Sequence, residues 1–124
     1  MTILKTYARL WTGNLDQALP LLTELVGAAP DLRLEFGPVE LAAIGDFLVI
    51  AGPAAAAATL PPATTTVVVS DLDAVHETLS SHGAEITFGP AVGPTGWYLF
   101  ARHADGSEAE YVQWKPELVE RILR

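Results

Sequence analysis

The feature that most constrains the fold of this chain is an internal duplication. A short turn, Asn14-Leu15-Asp16, has a counterpart in Asp71-Leu72-Asp73, and each one follows a strand-like stretch and opens a helical pattern. A second pair, Phe36-Gly37-Pro38 and Phe88-Gly89-Pro90, closes the first strand after each helix. Because both the order and the roles match, two copies of one unit are favoured over coincidence. The chain is predicted to contain two tandem β-α-β-β-β modules.

The first module covers about residues 1–51. Leu4–Thr12 predicts a strand, and Asn14 is suited to cap the helix that follows because its side chain accepts a backbone hydrogen bond. Pro20 interrupts the apolar pattern of that helix, so the pattern predicts a kink or a helix start close to Pro20. Alternation and turn residues then predict three strands, at 32–36, 39–44 and 47–51.

The second module covers about residues 64–114. A β-branched run predicts its first strand, and Asp71 opens its helix. The next strand is predicted to end at Gly89-Pro90, and two more strands are predicted at 96–103 and 107–114. Pro116 stands at a permitted first-turn position, which predicts a short C-terminal helix over 115–124.

The stretch between the modules, residues 52–63, is rich in Ala and Pro. Its five consecutive alanines favour a helix, but Pro53 and Pro61-Pro62 bracket them closely, so a linker is predicted.

The composition excludes several classes of protein. The chain has 124 residues, a formal net charge of −8, 50% hydrophobic residues and no cysteine. One compact domain is expected at this length. Scattered rather than clustered Lys and Arg argue against nucleic-acid binding, and no apolar run reaches the ~18 residues of a membrane span. No signal-peptide pattern opens the chain, so a cytoplasmic location is expected.

With these motifs in this order, the chain resembles the vicinal oxygen chelate superfamily, which includes glyoxalase I, the bleomycin resistance proteins and the extradiol dioxygenases. A third motif, Asp105-Gly106-Ser107-Glu108-Ala109-Glu110, is similar to the family's Asp-Gly-Asn-x-x-Glu hairpin. The resemblance covers nearly all of residues 1–124. It implies a single α+β domain in which two tandem βαβββ modules form half-barrels around a shared cavity, followed by a short C-terminal helix.

The resemblance also implies where a divalent metal would bind, with one ligand from each of four strands. Counting from the motifs places Glu110 at the last-strand position, and Tyr7 and Thr64 at the first-strand positions of the two modules. The fourth position falls in Phe47–Ile50, which holds no ligand type. Tyr and Thr are poor ligands for nickel, zinc or iron. We therefore expect neither a metal nor another cofactor.

The three histidines do not restore such a site. His76 and His82 belong to the predicted second helix, and His103 stands beside the last turn. We expect them to be surface or half-buried side chains.

A cavity lining follows from the alternation of side chains along strands. If Tyr7 faces the cavity, Arg9 and Trp11 do so too. By the same rule, every second residue counted from Thr64 and from Glu110 along its own strand belongs to the lining. Trp97 and Phe100 lie on opposite faces of one strand, and the sequence leaves open which of them points inward. The predicted ligand-binding residues are Tyr7, Arg9, Trp11, Thr64, Thr66, Trp97, Phe100, Glu110, Val112 and Trp114.

Such a lining suits a flat aromatic or conjugated molecule. The first hypothesis is a binding protein that sequesters a small aromatic compound without catalysis, as the resemblance to the bleomycin-resistance branch implies for antibiotics. The alternative is an enzyme, a lyase, isomerase or dioxygenase with an atypical metal site or none, in which Glu110 is a base or metal ligand and Tyr7 a proton donor. A regulatory or accessory domain with a vestigial cavity is a third interpretation.

The expected partners are a small aromatic ligand and a second copy of the chain. The resemblance implies a homodimer, and the stretch 52–63 is long enough to permit exchange of modules.

Overall fold

The computed structural model describes residues 2–123, within which the chain forms eight strands and four helices. The element order is βαβββ, a short helix, βαβββ and a final helix, which confirms the two predicted modules and the α+β class. None of the helices in residues 2–123 has the length and apolar character needed to cross a membrane. The elements are β1 Ile3–Thr12, α1 Leu15–Val26, β2 Leu32–Phe36, β3 Val39–Ile44, β4 Phe47–Ala51, α2 Ala54–Ala57, β5 Thr65–Val69, α3 Leu72–Ser81, β6 Glu85–Val92, β7 Gly96–Arg102, β8 Glu108–Trp114 and α4 Pro116–Ile122.

The chain divides into two compact units. We call Tyr7–Leu60 the first unit, and the residues up to Thr6 together with those from Pro61 onward the second unit. Strand β1 therefore gives its opening residues to the second unit and the rest of its length to the first, whereas the sequence motifs had placed all of it in the first module.

The first unit is a four-stranded sheet with α1 on one face. Its strand order is β2-β3-β4-β1, and β1 runs parallel to β4 while the other pairs are antiparallel. The side chain of Asn14 accepts a hydrogen bond from the Gln17 backbone N–H at 3.1 Å, which confirms the predicted N-cap. The helix begins at Leu15 and continues through Pro20, so it does not start close to Pro20, and three buried leucines anchor it on the sheet. They are Leu15, Leu19 and Leu22.

The second unit repeats this plan. Its strand order is β6-β7-β8-β5, β5 runs parallel to β8, and the start of β1 follows β5. Asp71 caps α3 by accepting a hydrogen bond from the Ala74 N–H at 3.1 Å. Helix α3 packs one face of the sheet through Leu72 and Val75, against Val67, Val69, Leu99 and Ala101.

One local prediction gains detail and another was wrong. The stretch 52–63, predicted as a linker, contains one helical turn, α2, because the Pro53 carbonyl accepts the Ala56 N–H and four alanines follow a proline that suits a helix start. Strand β6 continues past Gly89-Pro90 to Val92, with a cis peptide and two register irregularities at that point. Proline is tolerated there because β6 stands last in the strand order of its unit, with pairing on one side alone.

Gly96 sets the register of β7 against β8. Its φ is +146°, and a Cβ added there would collide with the Gln113 carbonyl oxygen. No side chain is therefore compatible with this start of β7. From this point the pairing places Tyr98 opposite Val112 and Phe100 opposite Glu110.

Candidate functional site

The candidate site is built on the face of the second unit's sheet that points away from α3. Val67, Leu99 and Ala101 pack towards α3, so alternation directs their strand neighbours to the other side. We call that side the Glu110 face. It carries Thr66, Val68, Tyr98, Phe100, Glu110, Val112 and Trp114.

A hydrogen bond fixes the carboxylate of this face. Thr66 and Glu110 are register partners on the parallel strands β5 and β8, and the Thr66 hydroxyl donates to Glu110 Oε1 at 2.7 Å. Thr66 is buried and Glu110 is half-buried. The bond offsets part of the cost of holding a carboxylate beside apolar side chains.

Three aromatic rings pack together on the Glu110 face. Phe88 stacks on Tyr98 with the ring centroids 5.9 Å apart, and each of these rings meets Phe100 edge-to-face at 6.2 Å. Phe100 is 2% exposed and Phe88 is 39% exposed, so the cluster has a buried floor and an accessible rim. This arrangement offers an aromatic surface on which a flat molecule can stack.

Sequence reasoning missed Phe88 and Tyr98 as site residues. Tyr98 has the parity of Phe100 on β7, and this signal was present in the sequence. Phe88 joins the face because it pairs with Phe100 across the irregular β6–β7 ladder, and local pattern alone does not reveal that register.

The electrostatics of the face keep its phenol protonated. Burial raises the pKa of Tyr98 above its ordinary value, and the nearby charge of Glu110 raises it further. The face therefore presents a hydroxyl and a carboxylate beside aromatic surface. Groups of this kind orient an aromatic ligand through hydrogen bonds.

The predicted residues of β1 share one face of the first unit. Leu10 pairs with Val49, which packs towards α1, so Tyr7, Arg9 and Trp11 point to the opposite side. Tyr7 is fully buried, Arg9 is half-buried and Trp11 is 40% exposed. Burial, then the charges of Asp31 and Asp46, raise the pKa of Tyr7 to about 12. A single lining that joins these residues to the Glu110 face stays a prediction.

The remaining predicted site residues fall in different places. Val112 and Trp114 are buried on the Glu110 face. Of the two alternatives on β7, Phe100 lies on that face, whereas Trp97 lies on the α3 side, 55% exposed and opposite Val92. Thr64 is exposed and precedes β5, so strand alternation does not determine its direction.

The side chains present do not fit the four-ligand metal site that the resemblance implies. In the described part of the chain, no three His, Cys, Asp or Glu residues group closely enough to hold a metal ion. Strand β4 offers only apolar side chains at the corresponding position. His76 is half-buried and His82 exposed, while His103 makes hydrogen bonds to Ser107 and Tyr111.

Comparisons with known proteins give a relative in the same family and a shared fold. An uncharacterised protein from Methanosarcina mazei is 38% identical over 93% of this chain and 95% of its own, with a TM-score of 0.86. No protein-family model matches the chain, and no curated protein matches it.

Two methylmalonyl-CoA epimerases are similar in structure. The enzyme from Mycobacterium tuberculosis is 18% identical with a TM-score of 0.72, covering 95% of this chain and 93% of that one. The enzyme from Streptomyces coelicolor is 12% identical with a TM-score of 0.68, covering 93% and 97%. These two comparisons establish the fold. The chain has the vicinal oxygen chelate fold and belongs to the same family as the uncharacterised Methanosarcina mazei protein.

Proposed function

We propose that this protein binds a small aromatic or conjugated compound on the Glu110 face and sequesters it without catalysis, as an antibiotic-binding protein of the bleomycin-resistance type does. The observation that carries the proposal is the cluster of Phe88, Tyr98 and Phe100 beside the hydrogen-bonded pair of Thr66 and Glu110. Of the four metal-ligand positions that the resemblance implies, Glu110 alone holds a carboxylate or imidazole, and no group of three such side chains forms within residues 2–123.

In this proposal, stacking supplies affinity for the ligand and a hydrogen bond sets its orientation. Each aromatic pair contributes ~0.5–1.5 kcal/mol beyond the burial of apolar area. Phe88 is the ring a ligand reaches first, because it is more exposed than Tyr98 or Phe100. Glu110 accepts a hydrogen bond from the ligand, and this fixes the orientation of the stacked ring system.

A fluorescence titration tests the proposal. Trp114 lies on the Glu110 face, so binding of an aromatic antibiotic there is expected to change tryptophan emission. Phe88→Ala is expected to weaken binding about 5- to 10-fold, the equivalent of one lost stacking contact. Val92→Ala is the matched control, because Val92 is an exposed residue of the same strand that pairs with Trp97 on the other face. Emission unchanged by a broad panel of aromatic antibiotics contradicts the proposal, as does equal weakening by the two variants.

The second candidate is a vicinal oxygen chelate enzyme with an atypical site. Two observations favour it: the fold is that of methylmalonyl-CoA epimerases, and the Thr66 hydroxyl holds the Glu110 carboxylate in a fixed orientation suited to a base. In this candidate Glu110 takes a proton or binds a metal. Stoichiometric metal in the purified protein, lost in Glu110→Ala and kept in the exposed-site control Glu77→Ala, would replace the first candidate with this one.

We propose a cytoplasmic homodimer as the working form, with or without exchanged modules. Leu21 and Leu25 stand one turn apart on α1 and are 63% and 70% exposed, so α1 offers apolar surface to a second copy. Light scattering measures the stoichiometry, and a monomer at micromolar concentration contradicts the proposal.

A further inference from the structure

A cavity lies in the second unit, on the side of the sheet opposite the Glu110 face. It has a volume of about 500 Å³, within the range of small-molecule sites. Its walls come from the start of β1, from α3, from the end of β5 and from the middle of β8. The residues that matter here are Ile3, Val69, Val75, Thr78, Leu79 and Tyr111. None of the residues that line this cavity is charged, which favours an uncharged occupant.

Tyr111 belongs to a series of hydrogen-bonded side chains in the hairpin between β7 and β8. Its hydroxyl lies 2.7 Å from His103 Nε2, and His103 Nδ1 lies 2.8 Å from the Ser107 hydroxyl. Ser107 donates in turn to Asp105 Oδ1 at 2.6 Å. Burial raises the pKa of Tyr111, so its phenol is protonated at neutral pH.

The donor and acceptor roles along this series of hydrogen bonds follow from its last member, Asp105. Two hydrogen bonds from Ser107, one from its hydroxyl and one from its backbone N–H, hold the pKa of Asp105 below its ordinary value, so Asp105 is an ionised acceptor. The Ser107 hydroxyl donates its one proton to Asp105, so it can only accept a hydrogen bond from His103. In the neutral imidazole the proton then sits on Nδ1, and Nε2 accepts the proton of the Tyr111 hydroxyl.

We propose that this cavity, the Tyr111 pocket, binds an uncharged apolar molecule that carries a hydroxyl group. The apolar walls take the body of the molecule. Because Tyr111 already donates its own proton to His103, its oxygen is left as an acceptor and selects a ligand that donates. His103 and Ser107 act as positioning residues, since they set the proton arrangement without lining the pocket.

The test uses 1-adamantanol and its methyl ether as matched probes. Both are uncharged and aliphatic, so neither can stack on the aromatic cluster of the Glu110 face, but only the alcohol donates a hydrogen bond. Titration at pH 8, followed by backbone amide NMR, is expected to show the alcohol shifting signals around Val75, Leu79 and Tyr111. The ether is expected to bind about 3- to 10-fold more weakly, the equivalent of one net hydrogen bond.

Three variants separate the parts of the proposal. Tyr111→Phe keeps the ring and is expected to abolish the preference for the alcohol over the ether. Thr78→Trp places a large side chain into the pocket from an exposed helix position and is expected to abolish binding, whereas the neighbouring exposed substitution Glu77→Trp leaves it intact. Ser107→Ala is expected to move the His103 ring proton from Nδ1 towards Nε2 in the imidazole nitrogen spectrum, with a matching loss of preference for the alcohol.

Four outcomes overturn the proposal: no binding of either probe, equal binding of alcohol and ether, shifts confined to the Glu110 face, or binding that survives Thr78→Trp. An affinity that falls as protein concentration rises would assign the pocket to a second copy of the chain instead. None of these outcomes bears on the aromatic binding proposed above, because the probes are aliphatic and the two faces are mapped separately.

Discussion

The two units share one plan but present different side chains on the faces that point away from their helices. In the first unit that face carries Tyr7, Arg9 and Trp11 on β1, with the aliphatic Leu48 and Ile50 as neighbours in β4. In the second unit the corresponding face carries a carboxylate held by a threonine and three packed aromatic rings. The helix sides are alike, since each is a small cluster of buried aliphatic residues.

This difference shows which side of each sheet is needed for the fold and which side is available for function. The helix side of each unit has to bury the same apolar stripe, so both copies keep aliphatic residues there. The opposite side does not pack against α1 or α3. Polar and aromatic side chains are compatible with that side, and the second unit holds them there around Glu110.

The largest expected effect comes from the side on which the units are alike. Leu15 and Leu72 are the first residues of α1 and α3 and are 1% and 4% exposed. Replacing either one by Ala is expected to lower the free energy of unfolding by about 2–5 kcal/mol, because a buried cavity remains. Chemical denaturation measures the loss. Leu25→Ala, at a 70% exposed position of α1, is the control and is expected to stay within about 0.5 kcal/mol of the parent.

The buried phenol of the first unit gives the next effect, at alkaline pH. The pKa of Tyr7 is about 12 in the folded protein against 10.0 in the unfolded chain, so folding favours the protonated form. The resulting stability is present below pH 10 and is lost as the pH rises to 12, by about 2–3 kcal/mol. Tyr7→Phe keeps the ring without the ionisation, and its stability should fall less over that range. Parallel alkaline curves for the two proteins would contradict the raised pKa.

The helix caps should respond equally in the two units. Asn14→Ala and Asp71→Ala each remove one side-chain acceptor of a backbone N–H and are expected to cost about 1 kcal/mol. Asp71→Asn keeps an acceptor and should retain most of the stability, which separates capping from charge. Thermal unfolding monitored by circular dichroism measures both changes, and a loss confined to one helix would show that the duplication does not extend to its caps.

The smallest effect tests the electrostatic difference between the faces. Glu110→Gln removes a charge that raises the pKa of Tyr98, so this pKa is expected to fall towards its ordinary value. The pKa of Tyr7 depends instead on burial, Asp31 and Asp46, and should not move. Tyrosinate absorbance during an alkaline titration reports both groups, with Tyr98→Phe and Tyr7→Phe to assign the signals. A shift of Tyr7 in Glu110→Gln would contradict the assignment of the two phenols to separate environments.

Local sequence patterns predicted most of the elements of this fold. The caps Asn14 and Asp71 and the alternating strands were readable because each depends on residues a few positions apart. The helical turn at Ala54–Ala57 and the continuation of β6 through Gly89-Pro90 were not readable from the sequence. Prolines at or near both places normally end a helix or a strand, yet regular structure forms there.

The candidate site was predictable in part. Parity along β8 placed Val112 on the face of Glu110, and the family resemblance placed Thr66 in the same lining. Phe88 needed the register of an irregular ladder, and the hydrogen-bonded link from His103 to Tyr111 needed two strands to meet across a turn. A histidine beside a turn is most often a surface residue, and the sequence carried no signal for its partner.

The start of β7 also limits how the aromatic cluster can change. Because backbone fills the space where a side chain at Gly96 would project, this strand enters the sheet at one fixed position. Lengthening the preceding loop by one residue, with β7 sliding to absorb it, would exchange its two sides. Trp97 and Leu99 would then stand beside Glu110, and Tyr98 and Phe100 would press against α3. The length of the loop before β7 therefore decides which side chains form the site, although this loop contributes no side chain to it.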